Sequence, residues 1–264
     1  MRWVLWVVLI AACAGAGLWQ YRRLHQAQTT GETSPAVAAE DGWVDLLFSQ
    51  NPKEVQAATE RVTALGADAL PMIRAILSDP QSEAERLKAA LKACGILGRT
   101  AAPLIPVVAT VLPEPGLTAE AAIALSYMGP DAFRPLRDAL SNDDAVVRRE
   151  ALRSIGKLKE RASLDVNIVL PLLNAGMKDA DPGVRAVAAT YLGIIHEGAG
   201  EAVPSLVGGL SDPDPEVRRA SAAALGSFGA EAAPALPALK KAASDQNDDV
   251  AREAGRSIVK LQSK

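Results

Sequence analysis

Aromatic residues are scarce in this chain of 264 residues, at 4%, although hydrophobic residues make up 49% of it. The apolar mass is therefore alanine, leucine and valine, whose small side chains let helices approach closely and favour packed helices over a β-sandwich. The chain also has no excess of basic residues, since its formal net charge is −3. Nucleic-acid binding, which calls for a basic face or stripe, is therefore not expected.

Cysteine and the usual catalytic motifs are also scarce. The two cysteines, Cys13 and Cys94, are too few for a disulfide framework or a metal site. Cys94 lies in a helical alanine and leucine pattern, which predicts a small buried apolar residue. Glycine-rich phosphate loops, G-x-S-x-G and C-x-x-C do not occur. We therefore predict no catalytic, cofactor-binding or metal-binding residues, no small-molecule substrate, and no enzyme.

An uncharged segment at residues 3–19 is the one long hydrophobic run. Seventeen helical residues span roughly 25 Å, which is at the short end of what crosses a bilayer. Trp3 and Trp19 stand at its two ends, where aromatic rings prefer the lipid–water interface. These features predict a single-pass membrane anchor within residues 1–24 and a location at the cell membrane. Residues 25–40 are small and polar, which is typical of a flexible linker.

Two other interpretations of this segment remain open. Ala14-Gly15-Ala16 resembles the cleavage site of a signal peptide, and Ile10-Ala11-Ala12-Cys13 resembles the signal of a bacterial lipoprotein. All three interpretations use an export-type signal, so we expect the rest of the chain to lie outside the cytoplasm. The positive charges that flank the segment are nearly balanced and do not fix its orientation.

Residues 41–264 repeat themselves, because a pair formed by an apolar residue and a glycine recurs every 27 to 37 residues. The glycines of these pairs are Gly66, Gly98, Gly129, Gly156, Gly193 and Gly226. Each follows a stretch with helical apolar spacing, and glycine readily takes the left-handed conformation that ends a helix. Each glycine is therefore predicted to close, or nearly close, the first helix of a unit.

A proline follows each of these glycines and leads into a second apolar stretch. The prolines are Pro71, Pro103, Pro135, Pro171, Pro204 and Pro234. Proline is favoured in the first helical turn, which predicts a second helix in each unit, and the loop after Gly156 carries extra residues. A turn rich in aspartate and serine then ends the unit and can cap the next helix. About six helical hairpins are predicted, with a leading half unit at 43–48 and a lone final helix at 248–262. Stacked hairpins of this kind form an all-α solenoid.

Three of the polar turns lead straight into a valine–arginine pair, at Arg148, Arg185 and Arg218. The clearest copy of the whole unit is DPDPEVRRASAAALGSFGAEAAPALPAL, at 212–239. This pattern resembles HEAT repeats, and most closely the short HEAT-like repeats named after phycobilisome lyases, over residues 50–262. The resemblance implies that each arginine pairs with turn aspartates of adjoining units, and the candidate aspartates are Asp144, Asp181 and Asp214.

The resemblance also brings two enzymatic alternatives. Deoxyhypusine hydroxylase, built from similar repeats, binds iron through His-Glu pairs placed just after the repeat arginine. The matching positions here are Arg149-Glu150, Ala186-Val187, Arg219-Ala220 and Glu253-Ala254. A guanidinium group cannot bind iron, and the pair His196-Glu197 lies near a helix end. A bilin lyase activity has only the name of the repeat in its favour.

The resemblance therefore favours a membrane-anchored scaffold for protein–protein interaction, with a lyase-like or hydroxylase-like protein as the alternative. A solenoid of stacked hairpins presents a long surface formed by the second helix of each unit. Polar residues within those helices are the candidate contacts with a protein partner, whereas the membrane would be contacted through residues 3–19. The candidates are Arg74, Arg137, Asn174, Lys178 and Lys240, with Asp138 and Lys241 beside them.

Overall fold

The structure is a computed structural model that describes residues 42–262. This part of the chain is built from α-helices and short 3-10 turns and contains no strand. The helices are α1 (Gly42–Leu46), α2 (Pro52–Leu65), α3 (Leu70–Ser78), α4 (Ala84–Leu97), α5 (Ile105–Val111), α6 (Thr118–Tyr127), α7 (Phe133–Ala139), α8 (Ala145–Ala162), α9 (Val166–Gly176), α10 (Pro182–Ile195), α11 (Ala199–Gly209), α12 (Pro215–Ser227), α13 (Leu236–Ala242) and α14 (Asp248–Gln262). The predicted all-α class is confirmed for these residues, whereas the predicted anchor (1–24) and linker (25–40) lie outside them.

Helices α2 to α13 pair in chain order into six hairpins, and α14 follows as a lone helix. The first helices of the hairpins pack side by side in one layer, in the order α2, α4, α6, α8, α10, α12 and α14. Each second helix packs on the first helix of the next hairpin or on α14, and the second helices form the other layer. The main contacts therefore run within a hairpin or between neighbours, which confirms the predicted solenoid.

Aspartates start the first helices of the later hairpins, as the sequence predicted. Asp144, Asp181 and Asp214 are the N-cap residues of α8, α10 and α12, and each side chain accepts hydrogen bonds from backbone N–H groups of the first turn. These bonds satisfy amides that have no intrahelical partner. Asn247 takes the same place before α14, where it accepts from the amides of Asp249 and Val250.

The recurring glycines have two different roles. The predicted position at or near a helix end is confirmed for five of them and is wrong for Gly156, which lies well inside α8. Gly66 and Gly98 do end α2 and α4, with φ angles of 54° and 56°, and Gly129 follows α6 with φ of 101°. Gly156, Gly193 and Gly226 instead lie inside α8, α10 and α12.

Close helix packing explains the second group of glycines. A Cβ atom added to Gly193 would lie 2.6 Å from the Cα atom of Ala224, and one added to Gly226 would lie 2.5 Å from Oγ of Ser257. One added to Gly156 would overlap the ring of Tyr191. These glycines therefore allow each first helix to pack against the next.

Two further local predictions are wrong. The residues after Gly156 do not form a loop, because α8 continues to Ala162 and ends at Ser163, whose φ is 51°. Pro171 and Pro204 lie in the interior of α9 and α11, since those helices begin earlier, after the caps Asp165 and Gly198. The Asp165 side chain accepts a hydrogen bond from the amide of Asn167 and so starts α9 five residues before the proline.

The stretch Ala84–Val111 is apolar and long enough to span a membrane by length and composition. It consists of two helices, α4 and α5, with a 3-10 turn at Gly98–Leu104 between them. Leu91, Cys94 and Val108 of this stretch are fully buried in the core. Helix packing therefore accounts for its apolarity. The predicted burial of Cys94 is confirmed, and burial raises the pKa of its thiol to about 12.

Candidate functional site

The second helices carry exposed positions in register. In each hairpin a buried aliphatic residue of the second helix packs into the core, as Ile73, Leu136 and Leu239 do. The residue that follows it is exposed or half-buried in every hairpin. We call these positions the second-helix row: Arg74, Ala109, Arg137, Asn174, Val207 and Lys240. Four of the five residues predicted to contact a partner therefore occupy equivalent positions, which the sequence analysis did not recognise.

Arg74 and Arg137 point their charges along the surface of the second-helix layer. The Nη2 atom of Arg74 donates a hydrogen bond of 2.8 Å to the carbonyl of Pro103, in the next hairpin. Arg137 donates to Oδ1 of its neighbour Asp138 at 2.9 Å, and both side chains are about half exposed. Neither bond buries the guanidinium group, so both arginines remain accessible to a partner.

Asn174 differs from the rest of the row because its Oδ1 atom is buried and accepts no hydrogen bond. A buried acceptor without a donor costs about 1–3 kcal/mol. Asn174 lies in the hairpin that directly follows that of Arg137. Its Oδ1 atom therefore faces the protein and not a partner, although the residue as a whole is half-buried.

Lys178 and Lys240 are exposed at the C-terminal ends of their helices. Lys178 lies just after α9, and Lys240 and Lys241 lie in the last turn of α13. The structure does not bring all the predicted contacts together, because Ala109 and Val207 interrupt the polar row. Arg137, Asn174 and Lys178 form its central polar part, with Arg74 and Lys240 in the first and the last hairpin.

The repeat arginines link neighbouring hairpins through aspartates, as the resemblance implied, but the candidate partners are wrong. Bidentate hydrogen bonds of 2.7–2.9 Å join Arg148 to Asp179, Arg185 to Asp212, and Arg218 to Asp245. We call these three pairs the arginine–aspartate ladder.

Asp144, Asp181 and Asp214 cannot serve as the ladder partners because they are engaged as N-caps. The ladder aspartate lies two residues earlier in the same turn. Its Oδ1 atom also accepts the backbone N–H two residues later, as at Asp212 and Asp214. Each ladder arginine therefore lies beside its own turn and reaches into the next one.

Each arginine also holds its own turn. The Nη1 atom of Arg185 donates to the carbonyls of Asp179 and Ala180, both at 2.9 Å. Arg148 and Arg218 make the equivalent bonds to their own turns. One side chain therefore fixes the turn of its hairpin and the turn of the next hairpin, which makes the ladder a structural element.

The electrostatics of the ladder favour the ionised aspartates. The hydrogen bonds from Arg148 and Arg218 hold the pKa values of Asp179 and Asp245 below their ordinary value of 3.8. At Asp212, burial raises the pKa, but the hydrogen bonds from Arg185 and from the Asp214 amide outweigh it, so that the pKa is lowered. The side chains of these pairs are 11–17% exposed, so water screens them little.

Three of the four positions considered for iron contain a residue in an ion pair, and the other is the apolar pair Ala186-Val187. Arg149 Nε lies 3.2 Å from Glu150 Oε1, and Arg219 lies 2.7 Å from Glu216. His196 is exposed at the end of α10, where its Nδ1 atom lies 2.9 Å from the carbonyl of Ile194. Within residues 42–262, no group of three or more His, Cys, Asp or Glu side chains is placed to hold a metal ion.

The sequence analysis missed a group of basic residues on the first-helix layer. Arg149, Arg153, Lys157 and Arg161 follow one another every four residues along α8. This spacing was the available signal, because residues four apart are neighbours on a helix surface.

Comparisons with known proteins match this architecture. A family model described as HEAT repeats matches residues 169–258. No curated protein matches the chain. A crystal structure of Kap121p is similar with a TM-score of 0.61 and 14% identity, covering 79% of this chain and 28% of Kap121p. Kap121p bound to Pho4p is similar with a TM-score of 0.58, 15% identity and coverage of 85% and 28%.

A third similar structure is the complex of CpcE and CpcF of phycocyanin lyase from Nostoc sp. PCC7120. Its TM-score is 0.50 at 22% identity, and it covers 59% of this chain and 98% of that one. Identities this low show a likeness of fold alone. The chain spans about a quarter of Kap121p. The chain is therefore similar to HEAT repeats over residues 169–258, and the same stacked hairpins extend through the rest of the described residues.

Proposed function

We propose that this chain is a scaffold that binds a protein partner across its second-helix row and is held at the cell membrane by residues 3–19. The solenoid then lies on the extracytoplasmic side of that membrane. The single observation that carries the binding proposal is the register of the row. The same position of successive second helices is exposed or half-buried, and four of its six residues are polar.

Geometry and chemistry support a protein partner on this row. A stack of hairpins holds its second helices at fixed spacing, so it offers a long rigid surface to an extended or helical segment. Arg74, Arg137 and Lys240 add positive charge and favour carboxylates in the partner.

The similar solved structures also support the proposal. Kap121p has been seen bound to Pho4p, and separately bound to Nup53p. A helical solenoid of this architecture therefore holds a protein partner in those structures. For the present chain, protein binding is the use of the fold that the second-helix row favours.

Site-specific photo-crosslinking in cells tests the binding proposal. A crosslinking amino acid replaces Ala109, a half-buried member of the row, and in a control it replaces Ala223, which is half-buried on the first helix α12. We expect a protein adduct at 109 that is absent at 223. Arg137→Glu with Lys240→Glu should remove the adduct, whereas Arg61→Glu, an exposed change on α2, should not. Equal adducts at 109 and 223 would count against the row.

Membrane attachment is tested separately. The chain should stay with the membrane fraction after alkaline carbonate extraction, and deletion of residues 3–19 should release it. Added protease should digest the solenoid in spheroplasts without detergent if it lies outside the cytoplasm. Full protection of the solenoid would overturn the proposed orientation but would leave the binding proposal standing.

A further inference from the structure

The basic residues on α8 form a charged row on the first-helix layer, opposite in the solenoid to the second-helix row. Arg149, Arg153, Lys157 and Arg161 follow an i+4 ridge, so each step rises about 6 Å along the helix. The ridge begins on the α10 side, where Arg149 lies against Gly183, and ends on the α6 side, where Arg161 lies 3.9 Å from the ring centre of Tyr127. We call it the α8 ridge.

The α8 ridge is poorly neutralised. Its acidic neighbour is Glu150, whose carboxylate lies 3.2 Å from Arg149 and 3.6 Å from Arg153 and is shared between them. Lys157 and Arg161 form no ion pair within the described residues 42–262. Glu160 is exposed on the same helix but contacts neither of them as an ion pair. Like charges four residues apart destabilise a helix, so stability alone does not account for the ridge.

Equivalent positions on the later first helices are neutralised. Arg252 and Arg256 of α14 correspond to Arg149 and Arg153, and each pairs with an acid three residues earlier, at 2.7 Å to Asp249 and 3.3 Å to Glu253. Arg219 of α12 pairs with Glu216 in the same way at 2.7 Å.

On α8 the position of Glu216 and Asp249 is taken by Val146, which is 42% exposed. Gly183 takes this position on α10, but Ala186 follows it there in place of an arginine. Among α8, α10, α12 and α14, the α8 ridge is therefore the place where the arginine is present and this acid is missing. Because the equivalent arginines of α12 and α14 are paired with this acid, the α8 ridge differs from an ordinary solvent-exposed helix face.

Helix-end effects explain only part of the ridge. Cations in the last turn favour the negative end of the helix dipole, which accounts for Lys159 and Arg161. Lys159 also pairs with Glu197 at 3.1 Å, and Arg161 donates to the hydroxyl of Ser126 at 3.1 Å. Arg149, Arg153 and Lys157 lie too far from that end for the dipole to account for them. The pKa of Lys157 is lowered by burial and by the nearby charges of Arg161 and Arg153.

We propose that the α8 ridge binds an extended acidic segment of a partner protein, with carboxylates on alternate residues. Alternate residues of an extended chain lie about 6.6 Å apart, which is close to the step of the ridge. The ridge is about 18 Å long, so about six residues of the segment would cover it. Ile123 and Tyr127 of α6 are both more than 40% exposed beside its end and could contact an apolar residue next to the acids.

The recessed position of the ridge favours a narrow peptide over a flat lipid surface. Arg149 and Arg153 have side chains 36% and 41% exposed, and Lys157 is half-buried between its neighbours. A flat membrane surface reaches partly covered charges less closely than a single extended strand does. This surface lies on the first helices and is independent of the second-helix row.

Fluorescence anisotropy with the full-length chain in nonionic detergent tests the proposal. The probe is a labelled peptide of alternating glutamate and serine with four glutamates, and the control peptide has glutamine in their place. We expect saturable, salt-sensitive binding of the glutamate peptide alone. Arg153→Gln with Lys157→Gln should weaken it about tenfold because two charge-assisted contacts are lost.

Two further variants keep the test independent of folding. Val146→Glu places an acid at the position that Glu216 takes on α12, and it should lower the affinity for the peptide several-fold. The variant should still fold, because an acid in the first turn stabilises the helix. Arg252→Gln with Arg256→Gln, at the equivalent positions on α14, should leave binding unchanged. Arg137→Glu with Lys240→Glu should also leave peptide binding unchanged. Failure of the α8 proposal can therefore be distinguished from failure of the proposed function.

Three outcomes would overturn the proposal. The first is equal affinity of the wild type and the α8 variants, and the second is an equal loss in the α14 variant. The third is that the chain binds no peptide but is retained on phosphatidylserine-coated beads and not on phosphatidylcholine-coated beads. This retention would have to depend on Arg153 and Lys157. That result would assign the ridge to an anionic lipid surface.

Discussion

At the scale of single residues, the ladder arginines join one hairpin to the next. Arg185 makes four hydrogen bonds, two to its own turn and two to Asp212. Removing one partner of a mostly buried, charge-assisted pair costs about 2–4 kcal/mol. We expect Arg185→Ala to lower the free energy of unfolding in urea by this amount.

The matched control is Arg219→Ala, which removes an exposed pair with Glu216 and should cost less than about 1 kcal/mol. A double-mutant cycle of Arg185→Ala with Asp212→Ala should show coupling between the two residues. Additive losses, or equal losses at Arg185 and Arg219, would contradict a stabilising role for the ladder.

The ladder aspartates also predict how stability depends on pH. Folding lowers the pKa values of Asp179, Asp212 and Asp245, so their contribution is fully present above the ordinary value of 3.8 and is lost as pH falls through the folded values. The melting temperature should therefore fall below about pH 4. A variant with asparagine at all three positions should fall less steeply there, and an unchanged slope would contradict this account.

At the scale of the helix, the interior glycines fix how closely the first helices approach. Gly193→Ala would place a Cβ atom 2.6 Å from the backbone of Ala224, and overpacking of this kind costs about 1–3 kcal/mol. Gly255 lies inside α14 with open space around it, so Gly255→Ala should stabilise the protein by about 0.5–1 kcal/mol. Thermal melts of the two variants should move in opposite directions, and a gain for Gly193→Ala would refute the close approach.

The sequence predicts the helical elements well and the choices between similar residues poorly. The caps Asp144, Asp181 and Asp214 follow from their place before valine–arginine pairs. The ladder partner does not, because Asp179 and Asp181 are chemically alike and only the offset between stacked hairpins decides which one meets Arg148. The pairs of an apolar residue and a glycine also look alike, yet the helix formers after Gly156 continue α8 whereas the residues after Gly66 form a turn.

The surface residues were predicted in the same uneven way. Arg74, Arg137, Asn174 and Lys240 could be found as polar residues in apolar helices. Their common register became visible only once the buried aliphatic residues were aligned in space. The α8 ridge was missed because a count of net charge averages it with the paired acids of α12 and α14.

At the scale of the whole molecule, the hairpins form a row in which each hairpin is stabilised by its contacts with the adjacent ones. Such an array should respond locally to damage, since each hairpin contacts mainly the next. A globule with one shared core would lose protection throughout. We therefore expect a single substitution to lower protection in the hairpins next to it and not in distant ones.

Native-state hydrogen exchange of Arg185→Ala compared with the wild type tests this central claim most directly. We predict faster exchange in α8 to α13, around the broken rung, and unchanged exchange in α2 to α5. A uniform loss of protection from α2 to α14 would contradict the account, because distant hairpins would then have to share one cooperative core.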